Sequence, residues 1–67
     1  MGIFVNDKTW NIQQAKKNYE WAEWHMKRAA EASRRNDERA VKDHLQSAKM
    51  YKAKGDEYMR DAAKSTK

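Results

Sequence analysis

Residues that could catalyse a reaction or hold a metal are few in this chain. It has two histidines, His25 and His44, and no cysteine. A structural zinc site takes four protein ligands and a catalytic one takes three, so two imidazoles predict no metal site. The sequence has no glycine-rich phosphate loop, no activated nucleophile and no paired carboxylates in an evident pocket. We therefore predict a protein without catalytic residues, metal or other cofactor, and not an enzyme.

Three tryptophans indicate binding instead of catalysis. Trp10, Trp21 and Trp24 fall on one stripe of the predicted first helix, on the side away from the apolar seam described below. Tryptophan is large, rigid and half polar, and it is enriched where proteins contact one another. The stripe predicts a partner-binding surface formed by Trp21, Trp24, Lys17, Arg28 and Trp10. Two alternatives remain open: self-association through this stripe, or its coverage by the N-terminal segment Ile3-Phe4-Val5.

The basic residues give a second candidate site. The net charge is +5, from 15 basic and 10 acidic residues. Basic side chains near aromatic rings can bind phosphates and stack on bases, so a nucleic-acid contact is the alternative function. The residues that would make it are Arg34, Arg35, Arg39, Lys42 and Lys49. The competing interpretation is a solvated surface whose arginines compensate the dipole at a helix end.

Composition predicts an all-helical chain. Proline and cysteine are absent, only two glycines occur, and 37% of the residues are charged. Alanine, lysine, glutamate, arginine and methionine favour helices. A chain of 67 residues forms one small domain with little stability to spare, and it has no disulfide to add to it. We therefore expect it to assemble, most simply as a homodimer.

Two heptad seams organise the chain. Each advances by alternating steps of three and four residues, which is the spacing of helices that pack side by side. The first seam is Ile12, Ala15, Tyr19, Ala22, Met26, Ala29 and Ser33, and the second is Val41, His44, Ala48, Tyr51, Gly55, Tyr58 and Ala62.

The segment between the seams predicts a tight turn. Asn36 tolerates the left-handed conformation that ends helices, and Asp37 is a good N-cap. When the seams are folded antiparallel about this turn, a large residue faces a small one at nearly every level, for example Tyr19 against Gly55. His44 is then a hydrogen-bonded residue of the seam, and His25, one turn away, can approach it.

The predicted fold is an antiparallel two-helix hairpin with a seam of small residues, assembling into a dimeric helical bundle. It forms a single domain over residues 1–67, with an arm at 1–6, helix 1 at 7–35, a turn at 34–37 and helix 2 at 37–65. Asn6 is the predicted N-cap of helix 1, and Val5 and Trp10 are expected to pack as a hydrophobic staple. Because the heptad period runs through Gly55, we predict that helix 2 continues there, although a break is the alternative.

The leading functional prediction is a small interaction protein that binds another protein and inhibits or tethers it. A compact, cysteine-free chain is compatible with an accessory protein or a phage- or plasmid-type regulator, although no residue indicates that origin. The architecture is similar to the short helical-hairpin dimers of the plasmid copy-control RNA-binding type, a likeness of fold alone. Nucleic-acid binding and a purely structural homo-oligomer are the alternatives. The longest N-terminal apolar run is three residues, far short of a signal peptide or membrane span, so we predict a cytoplasmic protein with no membrane contact.

Overall fold

The computed structural model describes residues 8–64 and consists of two antiparallel helices. Helix α1 spans Lys8–Arg34 and helix α2 spans Glu38–Lys64. The hairpin measures 48 × 20 × 13 Å. The predicted all-helical hairpin is therefore confirmed. The arm at 1–6, the Asn6 cap and the Val5 half of the staple lie outside the described residues.

The turn follows from two residues with defined backbone roles. Asn36 has a φ of 60°, the left-handed conformation that closes α1. The Asn36 amide donates to the Ser33 carbonyl at 3.0 Å, and the Asp37 amide donates to the Ala32 carbonyl at 2.9 Å, which is the Schellman pattern. The Asp37 carboxylate then accepts from the Ala40 amide at 3.2 Å and caps α2. Both residues act as the sequence predicts.

The core between the helices is built from very small residues. Ala15, Ala22 and Ala29 recur every seven positions on α1 and are buried. Ala48, Gly55 and Ala62 recur at the same interval on α2 and are also buried. Small side chains let two helices pack near the close end of the usual interaxial range. The predicted small-residue seam is confirmed for these six positions.

The larger residues predicted for the α1 seam are not buried. Ile12 is 42% exposed and Met26 is 57% exposed, and Ser33 is also exposed. Asn11 and Ala32, each one position earlier in the heptad, are buried instead. The prediction was wrong here because the contact surface of α1 runs one position earlier than the predicted seam, through Asn11 and Ala32, which leaves Ile12, Met26 and Ser33 outside it. Large residues are displaced to either side of the contact.

Gly55 lies inside α2, which continues through it without a break. A Cβ atom at this position would lie 2.6 Å from Cε1 of Tyr19, too close for any side chain to fit without movement. The Tyr19 hydroxyl extends past Gly55 and donates a hydrogen bond of 2.5 Å to Asp56 Oδ1. The predicted level of Tyr19 against Gly55 is therefore confirmed, and glycine is required there for space.

Candidate functional site

The tryptophans lie beside the helix contact, and their predicted position on the far side of α1 is wrong. The Trp10 ring meets Tyr58 of α2 edge-on at 5.7 Å between centroids. The Trp21 ring stacks on Tyr51 of α2 at 6.2 Å with an interplanar angle of 26°. Because the alanine and glycine core brings the helices close together, an indole from a flanking position of α1 reaches across to α2.

These rings lie along one side of the hairpin in two groups, Trp10 with Tyr58 and the other five together, and we call this side the aromatic edge. Its members come from both helices: those of α2 recur every seven residues, and three of the four on α1 lie within residues 21–25. The aromatic edge consists of Trp10, Trp21, Trp24 and His25 of α1 and His44, Tyr51 and Tyr58 of α2. The sequence identified its tryptophans but assigned Tyr51 and Tyr58 to the core. Their heptad spacing with His44 is the pattern that places all three along one side of α2.

Trp21 and Trp24 are the most exposed rings of the aromatic edge. Trp21 is 52% exposed and Trp24 is 42% exposed. The two rings meet edge-to-face at 5.8 Å and 77°, a favourable geometry for aromatic pairs. The Arg28 guanidinium lies 4.9 Å from the Trp24 ring centroid and forms an exposed ion pair with Glu31 at 3.2 Å. The pair is thus held in one arrangement while half of its surface stays accessible.

The two histidines meet across the helix contact, as the sequence predicted. Nδ1 of His25 lies 3.0 Å from Nδ1 of His44. One ring must donate and the other accept, so the accepting imidazole is unprotonated at this nitrogen. Tyr51 stacks on His25 at 5.5 Å, and the edge of Trp24 closes the cluster. Within residues 8–64 no group of three or more candidate ligands could hold a metal ion.

The basic residues occupy two separate places. Lys17 and Arg28 are exposed on α1, where Arg28 contacts Trp24. The candidate nucleic-acid residues lie around the turn, except for one that is two helical turns further along α2. All five are exposed: Arg34, Arg35, Arg39, Lys42 and Lys49. Within residues 8–64 the cation found over a tryptophan ring is Arg28, which is not one of these five.

A hydrogen bond between Tyr19 and Asp56, which the sequence did not reveal, lies on the side of the hairpin opposite the aromatic edge. The hydrogen bond to Asp56 raises the pKa of the Tyr19 hydroxyl, and burial and the Asp56 charge raise it further, whereas Arg60 lowers it. Tyr19 and Asp56 are 37 positions apart. Their meeting depends on the register of the two helices, so no local pattern predicts it.

This contact predicts a stability loss in alkaline solution. Because the folded state raises the pKa of Tyr19, its stabilising contribution is complete below the ordinary tyrosine pKa of about 10 and is lost as the pH rises through the folded value. Denaturant unfolding across this range should show a larger loss for the wild type than for Tyr19→Phe. Absorbance of tyrosinate, compared between the wild type and Tyr19→Phe, should show that Tyr19 ionises above the ordinary tyrosine pKa. Equal losses in both proteins would contradict the prediction.

The chain matches no protein-family model, and comparisons with curated proteins and with solved structures also give no match. Neither helix of the described part, residues 8–64, is long and apolar enough to cross a membrane.

Proposed function

We propose that this protein is a small non-enzymatic binding protein whose aromatic edge docks on an acidic segment of another protein. The observation that carries the proposal is the Trp21–Trp24 pair, which is 52% and 42% exposed yet fixed by rings from both helices. Binding costs less free energy when the contacting side chains are already ordered. Rigid, accessible tryptophans are also the residues that most often dominate binding energy.

Charge supports the choice of an acidic partner. Arg28 covers part of Trp24, and Lys17 lies one heptad before Trp24 on α1. The exposed Arg28–Glu31 ion pair is weak, so Arg28 can exchange Glu31 for a carboxylate of a partner. The chain as a whole carries a net charge of +5. Complementary charge speeds association and rejects basic partners. A partner segment with one or two apolar side chains among carboxylates fits this chemistry. By binding that segment, this protein would block the segment's contacts with other molecules or tether the partner.

The test uses a displayed random-peptide library as the probe. Selection on the wild-type protein should enrich acidic peptides that carry aliphatic or aromatic anchors. Fluorescence anisotropy should show that Trp24→Ala raises the dissociation constant for the selected peptide at least about tenfold, as expected for a binding hot spot. Met26→Ala is the matched control, because Met26 is 57% exposed but is not part of the aromatic edge. Circular dichroism must show that both variants stay helical.

Three results would count against the proposal. The first is a selection that enriches peptides without acidic bias, and the second is a Trp24→Ala variant that binds the selected peptide as tightly as the wild type does. A third result is binding of a single-stranded oligonucleotide that weakens steeply with salt and is lost in Arg34→Ala and Arg35→Ala but not in Trp24→Ala. That outcome would favour the nucleic-acid alternative and place the contact at the turn.

A further inference from the structure

The hairpin leaves its largest aliphatic side chains on the outside. Four of them, two from each helix, form what we call the aliphatic edge: Ile12, Met26, Leu45 and Met59. Their exposed fractions are 42%, 57%, 47% and 43%. Isolated exposed apolar residues are ordinary, but a set that shares one side of a small protein usually marks a contact surface.

Helical geometry places the four on one side of the hairpin, opposite the aromatic edge. Tyr19 lies seven residues from both Ile12 and Met26, so the three share one side of α1. The Tyr19 hydroxyl bonds to Asp56, which identifies the facing side of α2. Met59 follows Asp56 by three residues and therefore neighbours it on the helix surface.

Leu45 belongs to the same side of α2 as Met59. The two are fourteen residues apart, with Lys52 midway between them at heptad spacing. The level of each residue along the hairpin follows from the ring contacts. Trp10 contacts Tyr58, which brings Ile12 near the level of Met59, and His25 contacts His44, which brings Met26 near the level of Leu45.

The core alone gives a reason for this side to be covered. In the described residues the buried apolar side chains are all alanines. Alanine burial contributes little, and chains of this size rarely gain enough stability from a single core. Larger side chains that could supply the remainder are present but face solvent on the aliphatic edge.

We infer that a second copy of this chain covers the aliphatic edge and forms a four-helix bundle. The hairpin measures 48 Å and 20 Å along its two longer dimensions. The area of a face with these dimensions is comparable with the roughly 800 Å² that each partner contributes to a standard interface. The apolar pairs lie toward both ends of this face, Ile12 with Met59 and Met26 with Leu45. A two-fold axis along the hairpin or across it therefore brings apolar residues against apolar residues.

The residues midway along the aliphatic edge, Lys52 and Asp56, are polar, and they too suit contact with a second copy of the chain. Lys52 and Asp56 carry opposite charges one helical turn apart, so each can meet the opposite charge on a second copy. A polar group within an apolar helix contact fixes register and oligomer state at some cost in stability. The dimer inferred here uses the edge opposite the tryptophans, which leaves the aromatic edge free for another partner.

Sedimentation equilibrium over a range of protein concentrations tests the inference. The wild type should reach twice the chain mass of 8.0 kDa. Met26→Glu places an unpaired charge in the interface and should raise the dimer dissociation constant at least about 100-fold. Met50→Glu is the matched control, because Met50 is 50% exposed but lies off the aliphatic edge. It should leave the dissociation constant unchanged.

A second measurement keeps the inference testable if Met26→Glu fails to fold. The melting temperature of the wild type should rise with protein concentration, as mass action requires for a dimer. The aromatic variant Trp24→Ala should sediment as a dimer. A wild type that stays at 8.0 kDa with a concentration-independent melting temperature overturns the inference. A dimer lost in Trp24→Ala but kept in Met26→Glu also overturns it, whereas failed peptide selection affects only the proposed function.

Discussion

A leucine at position 55 is expected to lower the free energy of unfolding by about 3 kcal/mol, near the upper end of the range for overpacked cores. The first added atom, Cβ, would already lie 2.6 Å from Cε1 and 2.9 Å from Cδ1 of Tyr19. The ring cannot move away without giving up the hydrogen bond to Asp56. The helices must then separate, and the adjacent alanine contacts loosen with them.

The effect of Gly55→Ala on folding stability should change sign when the Tyr19 ring is removed, which would identify that ring as the reason for the glycine. With Tyr19 present, Gly55→Ala combines a helix-propensity gain of about 1 kcal/mol with a larger steric cost, so its net effect is destabilising. In a Tyr19→Ala background the steric cost disappears, and Gly55→Ala should stabilise by about 1 kcal/mol. Urea unfolding of the four proteins gives the coupling energy as a double-mutant cycle.

Additive effects of the two substitutions would contradict this account of Gly55. They would mean that glycine is not kept for the Tyr19 ring, and the register of the two helices would need revision. A rise in melting temperature for Gly55→Leu in the wild-type background would have the same implication. The m-value should remain constant across the series, because only then do shifts of the midpoint report stability.

Replacing Trp21 by alanine is expected to cost about 2 kcal/mol of folding stability. Truncating a fully buried tryptophan costs about 3–5 kcal/mol, and Trp21 is 52% exposed, so about half of that loss applies. Stacking on Tyr51 of the other helix is the main contact removed. A tryptophan on the far side of α1 would instead change stability by less than about 0.5 kcal/mol, the usual range for surface sites.

Two further variants separate packing from other effects at this position. Trp21→Phe keeps an aromatic ring against Tyr51 and should recover more than half of the loss. Met50→Ala removes a side chain that is 50% exposed and is not part of the aromatic edge, and it should be nearly neutral. An unchanged denaturation midpoint for Trp21→Ala would show that the ring contact in the structure contributes nothing to folding.

The fold was largely predictable because the controlling patterns are local. Heptads of small residues, a left-handed Asn36 and an Asp37 cap each act over a few positions, and each has one common structural solution. The Tyr19–Gly55 level followed from them, because antiparallel pairing about a short turn leaves one register that alternates large and small residues.

The candidate site was less predictable, because it depends on how closely two helices approach. A helical wheel separates Trp21 from the seam, but it contains no information about the distance to the second helix. The alanine and glycine contact shortens that distance, and an indole then spans it to Tyr51. Met26 lies outside the contact because the contact surface of α1 runs one position earlier than the predicted seam.

The sequence by itself determined the helices, the turn and the line of small residues, since these depend on backbone preferences and on spacing within one helix. Only the tertiary structure decided which large residues belong to which side of the contact. That choice is set by side-chain volume against the gap between two backbones, and it separates an aromatic edge held by both helices from an aliphatic edge that faces solvent.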